Sequence, residues 1–262
     1  MENYSTNERR ADILQILNQN NRVTVNELCE KYGLSEVTIR KDLEILKNRN
    51  LLFRIRGGAI RIPSINRDGN DVRVESKRLF YYKQKKSIGK MAASLINENE
   101  TIIIDSGTTT MEVAKNLHNF QNLTIVTNAI DIALEVSKYN RFSVIMLGGH
   151  LRESSLSTVG PLAESVLKVC YCDKLFLGVD SINIDEGIST PNIEEANINQ
   201  TMITMAKETI AVFDSSKFDK RSFAFIAHVQ DIDAIVTDDD IPHKTLTELT
   251  ERKIKVHIAS YR

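Results

Sequence analysis

The sequence predicts an α/β chain in two parts, and three observations carry the prediction. From residue 101 onward, strand-like apolar runs alternate with helical patterns, the succession that builds a mostly parallel sheet covered by helices on both faces. The N-terminal stretch shows short helical and hairpin patterns instead. The charge divides in a similar way: residues 1–92 carry 19 Lys and Arg against 11 Asp and Glu, while residues 93–262 carry 15 against 24. A basic N-terminal part suits a polyanion, and an acidic remainder resists wrapping nucleic acid non-specifically. At 262 residues, one or two domains with a sizeable core are expected.

Composition excludes several classes. No apolar run is long enough to span a bilayer, and the polar start Met1-Glu-Asn-Tyr-Ser-Thr-Asn-Glu-Arg9 lacks a signal-peptide core, so no membrane association is expected. Cys29, Cys170 and Cys172 are a sparse, odd set that points to a reducing cytoplasm rather than a disulfide framework. Cys170-x-Cys172 has neither a second pair nor clustered histidines beside it, so no metal site and no cofactor are expected.

Taken in order, Arg10-Ala-Asp-Ile13-Leu14-Gln-Ile16-Leu17 repeats apolar residues at helical spacing, and Asn18 to Asn21 break the pattern. A second helix, Val25–Tyr32, opens after Thr24 as cap and puts Val25, Leu28, Cys29 and Tyr32 on one face. Gly33 ends it in a left-handed turn. Ser35 caps a third helix over 36–47, with Ile39, Leu43 and Leu46 inward and Val37, Arg40 and Lys41 outward, Glu36 and Thr38 at the edge. Asn50 stands where this helix should stop. Leu51-Leu-Phe-Arg54-Ile-Arg56-Gly57-Gly58-Ala-Ile-Arg61 alternates, turns at Gly-Gly and returns as a hairpin. Two helices joined at a glycine turn, followed by a basic hairpin, make a winged helix-turn-helix whose second helix enters the major groove. Ser35, Glu36, Val37, Thr38, Arg40 and Lys41, with Arg54, Arg56 and Gly57 of the wing, are the candidate contacts to double-stranded DNA. A small three-helix protein-interaction module is the competing reading of the same elements.

From about Pro63 the pattern fails, and a linker is expected over 62–77 between a domain at 6–61 and a second at 78–262. Glu75 to Asn97 looks helical and is basic in its middle, at Lys77, Arg78, Lys83, Lys85 and Lys86, with Ile88, Met91, Ala92 and Leu95 as a later apolar stripe. Strands follow near 101–105, 123–127, 143–147, 174–179, 210–214, 234–237 and 255–258, with helices after Thr110 and near 130–138, 161–168, 194–206 and 246–252.

The chain is organised around Thr101-Ile-Ile-Ile-Asp105-Ser-Gly-Thr-Thr-Thr110. A strand buried on both faces delivers Asp105 and a Ser/Gly/Thr turn to the start of a helix. Unpaired N–H groups and the positive end of the helix dipole favour an anion there; Gly107 lets the backbone come close, and Ser106, Thr108, Thr109 and Thr110 add hydroxyls. A phosphate-bearing small molecule is the natural guest, although the same residues also suit an ordinary N-cap. Asn128, Gly148, Gly149, Asp180 and Asp214 with Lys217 stand at other carboxyl ends of strands, the rim where open α/β sheets bind ligands.

These motifs together resemble the DeoR family of bacterial transcriptional regulators over nearly the whole chain. The matching pieces are Glu8-Arg-Arg10 with Ile13-Leu14, Leu34-Ser-Glu-Val-Thr-Ile-Arg-Lys-Asp-Leu43 and Arg54-Ile-Arg-Gly-Gly-Ala59. In the second part they are Asp105-Ser-Gly-Thr-Thr109, Thr127-Asn128, Leu147-Gly-Gly149, Val159-Gly160, Phe176-Leu-Gly178, Asp214-Ser-Ser-Lys217 and Val236-Thr-Asp238. Arg56, Lys41 and Asn50 depart from the histidine, arginine and glycine common in the family. The resemblance implies an N-terminal winged helix-turn-helix and a C-terminal sugar-phosphate-sensing domain related in fold to ribose-5-phosphate isomerase and CoA transferases.

It further implies that residues 105–110 hold the phosphate of an effector, with Asn128, Asp180 and Lys217 toward the sugar. Leu177-Gly-Val-Asp180 and Gly187-Ile-Ser-Thr-Pro-Asn192 resemble the branch that controls amino-sugar and galactosamine catabolism, which implies a hexosamine or hexose phosphate. The expected function is a homo-oligomeric repressor of a carbohydrate operon, released from operator DNA by a phosphorylated sugar. The alternative is an isomerase-like enzyme using Asp180 and Lys217 as acid and base.

Overall fold

The computed structural model describes residues 6–48, 51–61, 74–78 and 80–261, and the chain divides into two compact units, Met1–Asn66 and Arg67–Arg262. Asn50 and most of the stretch expected as a linker lie outside the described residues.

The first unit consists of α1 (Thr6–Asn20), β1 (Arg22–Thr24), α2 (Val25–Tyr32), α3 (Glu36–Asn48) and the hairpin β2 (Leu52–Ile55) and β3 (Gly58–Arg61). Thr24 and Glu27 cap α2 reciprocally: the Thr24 Oγ1 accepts from the Glu27 N–H (3.2 Å) and the Glu27 carboxylate accepts from the Thr24 N–H (2.7 Å). Gly33 closes the helix at φ 63°. The three helices bury Ile13, Leu17, Leu28, Ile39, Leu43 and Leu46 with Leu52 of the wing in one core. Within it lies an ion cluster, in which Arg9 and Arg10 each approach the buried Asp42 carboxylate at 2.7 Å and tie α1 to α3. β1 was not foreseen, because three residues are too short to show an alternation. It pairs antiparallel with β3, making the wing a three-stranded sheet. This pairing explains the second glycine of the turn: a Cβ on Gly58 would stand 2.1 Å from the Val23 carbonyl oxygen.

The second unit opens with α4 (Val74–Lys77) and α5 (Tyr82–Ala93). The continuous helix expected over 75–97 is therefore interrupted; Tyr81 stands in the left-handed region at φ 53° directly before α5. Val74–Lys77, expected to be the end of a linker, is helical and part of this unit. Then follow β4 (Thr101–Ile104), α6 (Thr108–Lys115), β5 (Thr124–Thr127), α7 (Ile130–Ser137), β6 (Ser143–Met146), the hairpin β7 (His150–Arg152) and β8 (Ser157–Val159), and α8 (Pro161–Leu167). The chain continues through β9 (Cys172–Gly178), β10 (Ser181–Asn183), β11 (Gly187–Thr190), α9 (Ile193–Met205), β12 (Ala206–Val212), a 3-10 turn at Ser215–Lys217, β13 (Ala224–Ala227), β14 (Ala234–Asp238), α10 (His243–Glu251) and β15 (Lys255–Ala259).

Seven of these strands form one sheet in the order β15-β14-β12-β9-β4-β5-β6, every pair parallel. Successive residues send their side chains to opposite faces, so Ile102 and Ile104 join one core while Ile103 joins the other, and Phe176 is parted in the same way from Leu175 and Leu177. The first face is covered by α5, α6 and α7; the second by α8, α9, α10 and a small antiparallel sheet, β10-β11-β13. That small sheet and the β7–β8 hairpin were not anticipated. Their strands are three or four residues long and too short for a periodicity to show.

Candidate functional site

In the first unit, Ser35 caps α3, its Oγ 3.4 Å from the Thr38 N–H and 3.1 Å from the Thr38 hydroxyl. Glu36, Val37, Arg40 and Lys41 are exposed, and Val37, an apolar residue, is 77% exposed. Arg40 is not loose. Its guanidinium donates to the Glu36 carboxylate at 2.9 Å and 3.3 Å. Arg56 and Gly57 stand out at the turn of the wing, where Gly57 takes φ 79°. Arg54 differs: it is half-buried along β2 with its Nη1 enclosed, so it does not project like Arg56.

The second site follows from sheet topology. From β4 the chain moves outward to β5 and β6, then returns to β9 on the other side of β4 and moves outward again through β12, β14 and β15. Loops leaving β4 and β9 therefore diverge, and such a switch point leaves a crevice at the carboxyl ends of the strands. A cavity of about 70 Å³ lies there. One wall is Asp105, Ser106 and Gly107 running into Thr108 and Thr109 at the start of α6. Gly107 has φ 150°, a conformation that side-chain-bearing residues rarely adopt, and it turns the backbone into the helix. Also lining the cavity are three ammonium groups, Lys77, Lys85 and Lys217, and two more carboxyl groups, Asp180 and Glu195.

These charges are arranged rather than scattered. Asp180 Oδ1 lies 2.7 Å from the Lys77 Nζ and 4.0 Å from the Lys217 Nζ. Burial alone would raise its pKa, but the two lysines outweigh it and hold the group at about 2. Asp105 is the opposite case. Burial, with Glu195 adding repulsion, pushes it up to about 8, although the Ser106 and Gly178 N–H groups and the Asn199 amide restrain the rise. The Gly178 N–H donates to Oδ2 at 3.2 Å, whereas Oδ1 meets no partner in hydrogen-bond geometry. Lys85 is buried, its Nζ donating to the Lys77 carbonyl at 2.8 Å, and burial brings its pKa down to about 8 against the pull of nearby Asp214. Glu195 is held by the Thr190 hydroxyl (3.0 Å) and by Arg152 (3.4 Å).

Some residues named from the sequence stand elsewhere. Thr110 is fully buried and its hydroxyl donates to the Gly107 carbonyl (3.0 Å), bracing the loop instead of facing the cavity. Asn128, also fully buried, joins the end of β5 to β8 through the Thr158 N–H (2.8 Å). Gly148 and Gly149 are exposed after the edge strand β6. The reason is the strand order, since β5 and β6 end progressively further from the β4/β9 crevice. Asp214 lies buried at the end of β12 and is not among the lining residues. Lys77, Lys85, Ser154, Ser155, Thr190, Glu195 and Asn199 line the cavity without having been singled out for it. The two lysines sat in plain view in the basic stretch after residue 75, and Thr190 in the Gly187–Asn192 segment. Nothing local marked the others.

A winged helix-turn-helix with Arg40 and Lys41 exposed on its second helix, followed by an α/β unit with a charged crevice at its strand ends, defines a DNA-binding protein with a sensor domain. The comparisons agree. Residues 9–64 match the DeoR-like helix-turn-helix domain and residues 81–239 the DeoR C terminal sensor domain. A putative aga operon transcriptional repressor of Escherichia coli O157:H7 is 38% identical over 251 residues, covering 96% of this chain and 93% of that protein. The HTH-type transcriptional repressor GlcR of Bacillus subtilis (strain 168) is 33% identical over 246 residues, covering 94% and 93%. Among solved structures, ribose 5 phosphate isomerase A from Neisseria gonorrhoeae is similar at TM-score 0.37 and 16% identity over 52% of this chain and 53% of that one. The delta subunit of eIF2B from Chaetomium thermophilum reaches TM-score 0.43 and 13% identity over 59% and 55%. The chain belongs to the DeoR family of transcriptional regulators.

Proposed function

We propose that this regulator represses a carbohydrate catabolic operon and leaves its operator when a phosphorylated sugar occupies the β4/β9 cavity. The observation that carries the reading is the cavity itself: a backbone turn at the N-terminus of α6, faced by Lys77, Lys85 and Lys217. Such a site takes a phosphate, and Asp180, Thr190, Glu195 and Asn199 supply groups for sugar hydroxyls. The names of the aga operon repressor and of GlcR support a hexose or hexosamine phosphate.

On the DNA side, Ser35, Glu36, Thr38, Arg40 and Lys41 meet one major groove while Arg56 and Gly57 follow the backbone, and a homo-oligomer reads paired half-sites. The DNA-binding domain is taken as 6–61 and the sensing domain as beginning at Val74 rather than at residue 78. The isomerase reading is weaker, because a carboxylate held at about 2 by two lysines is a poor base.

A thermal-shift screen of the full chain against sugar phosphates and their unphosphorylated parents tests this. A ligand bound only by the native state raises the melting temperature, by an amount worth about 2.7 kcal/mol at a hundredfold excess over Kd. The expected result is a shift that needs the phosphate and is lost in Thr109→Ala. Equal shifts with the parent sugars, or none with any compound, sink the effector assignment.

A further inference from the structure

α3 exposes an apolar side chain where neither folding nor charge asks for one. Val37 stands two residues before Ile39, about 200° round the helix, so the turn that sends Ile39 into the core sends Val37 outward. It is 77% exposed and takes no part in the core of the first unit. A β-branched residue gains nothing in such a place: its two methyl groups stay in water, and its stiff χ1 lowers helix propensity slightly. Lone exposed valines are ordinary on a protein surface, and what distinguishes this one is its setting. It is the second residue of α3, between Glu36 and Thr38, with Arg40 and Lys41 one turn further on. Side chains in a helix lean toward its N-terminus, so the Val37 methyl groups lie at the end of α3 that a helix-turn-helix presents to base edges. The polar groups around them engage one another: the Ser35 and Thr38 hydroxyls lie 3.1 Å apart, and Arg40 donates to Glu36 at 2.9 Å and 3.3 Å. The Glu36 carboxylate beside Val37 would be repelled by phosphate, which turns this edge of the helix toward bases instead of the backbone. In the major groove one base edge is apolar. It is the C5-methyl group of thymine, and a small aliphatic side chain is the group that meets it.

We propose that Val37 determines part of the operator's sequence by packing its methyl groups on the C5-methyl of a thymine, in the groove that Arg40 and Lys41 enter. This assignment rests on the reading of α3 as the groove-entering helix and adds a base that it selects. Bringing the two apolar groups together takes both out of water, which is worth about fourfold in affinity for each methyl-sized group buried.

The test uses the full chain and DNA that the protein itself selects. A duplex library with a randomised core of about 30 base pairs, room for two half-sites, is enriched on the parent chain. The selected duplex is remade with deoxyuridine at each thymidine in turn, which keeps the base pairing and removes only the methyl group. Fluorescence anisotropy then compares the parent chain, Val37→Ala and Arg40→Ala. The expected result is one thymine position, or a symmetry-related pair, where uracil weakens the parent chain about fourfold and leaves Val37→Ala unaffected. On the thymine duplex Val37→Ala itself binds about fourfold more weakly than the parent chain, and because alanine is the better helix former, that loss does not come from a weaker helix. Uracil tolerated by the parent chain at every position overturns the proposal. A uracil penalty of the same size in the parent chain and Val37→Ala overturns it too, since another residue then meets the methyl group. Failure of the groove reading itself looks different: the parent chain enriches no common sequence, or Arg40→Ala holds the selected duplex as tightly as the parent does.

Discussion

Asp42 and Asp105 are both buried carboxyl groups, and their surroundings set them opposite tasks. Asp42 is surrounded by Arg9 and Arg10 inside the helical core, so removing it leaves two cations without their partner. Asp42→Ala is expected to cost the first unit about 3–5 kcal/mol, read by urea denaturation. A loss below 1 kcal/mol would mean that the arginines find water instead. Asp105 carries no such partner and keeps its proton up to about 8. In the unfolded chain it releases the proton near 3.8, so between these values the native state holds more protons, and stability falls as pH rises through that window. Asp105→Asn should flatten the decline. Lys85, also near 8, loses its charge just as Asp105 gains one. Affinity for a phosphorylated ligand is therefore expected to drop above pH 8, by up to about tenfold per pH unit for each proton lost. A flat titration between pH 7 and 9 would remove both groups from the ligand's surroundings.

Among the elements, the wing depends on one close approach. Gly58→Ala places a methyl group against the Val23 carbonyl, so β1 and β3 must part. Loss of about 1–3 kcal/mol from the first unit is expected, together with weaker operator binding, while effector-induced thermal shifts persist. Operator affinity equal to that of the parent chain would show that β1 is dispensable to the wing. The second and third helices were legible in the sequence because their start and stop signals, Thr24, Gly33 and Ser35, are local chemistry. Central strands were legible for a related reason, since burial on both faces makes Ile102-Ile-Ile104 and Leu175-Phe-Leu177 continuous apolar runs. The short strands β1, β7, β8, β10, β11 and β13 carry no comparable signal. They exist because partners distant in the chain offer them hydrogen bonds, as β3 does for Arg22–Thr24. The break before α5 was hidden for a different reason: the helical pattern continues through Tyr81, whose φ of 53° no residue type announces.

For the whole molecule, the proposed function needs two sites, and each is expected to be disabled separately. Arg40→Ala is expected to weaken operator binding by about 1–3 kcal/mol while leaving sugar-phosphate binding intact. Fluorescence anisotropy with operator DNA and calorimetry with the effector would show both, and unchanged DNA affinity would remove Arg40 from the interface. By itself the sequence determined the family, the central strands with most of the helices between them, the exposed residues of α3 and the hydroxyl-rich turn at Asp105–Thr109. Each of these is written in contiguous residues, through periodicity, caps and hydroxyl-rich turns. Only the tertiary structure decided which strand ends share a cavity. Asp105, Asp180 and Lys217 follow neighbouring strands of the sheet, whereas Asn128 and Gly148 follow strands that lead away from the switch point, and strand order is a long-range property that no local pattern encodes. The same holds for Lys77 and Lys85. Their charge was visible in the sequence, but their place beside the cavity came from packing α5 against the central sheet and from Lys77 pairing with Asp180.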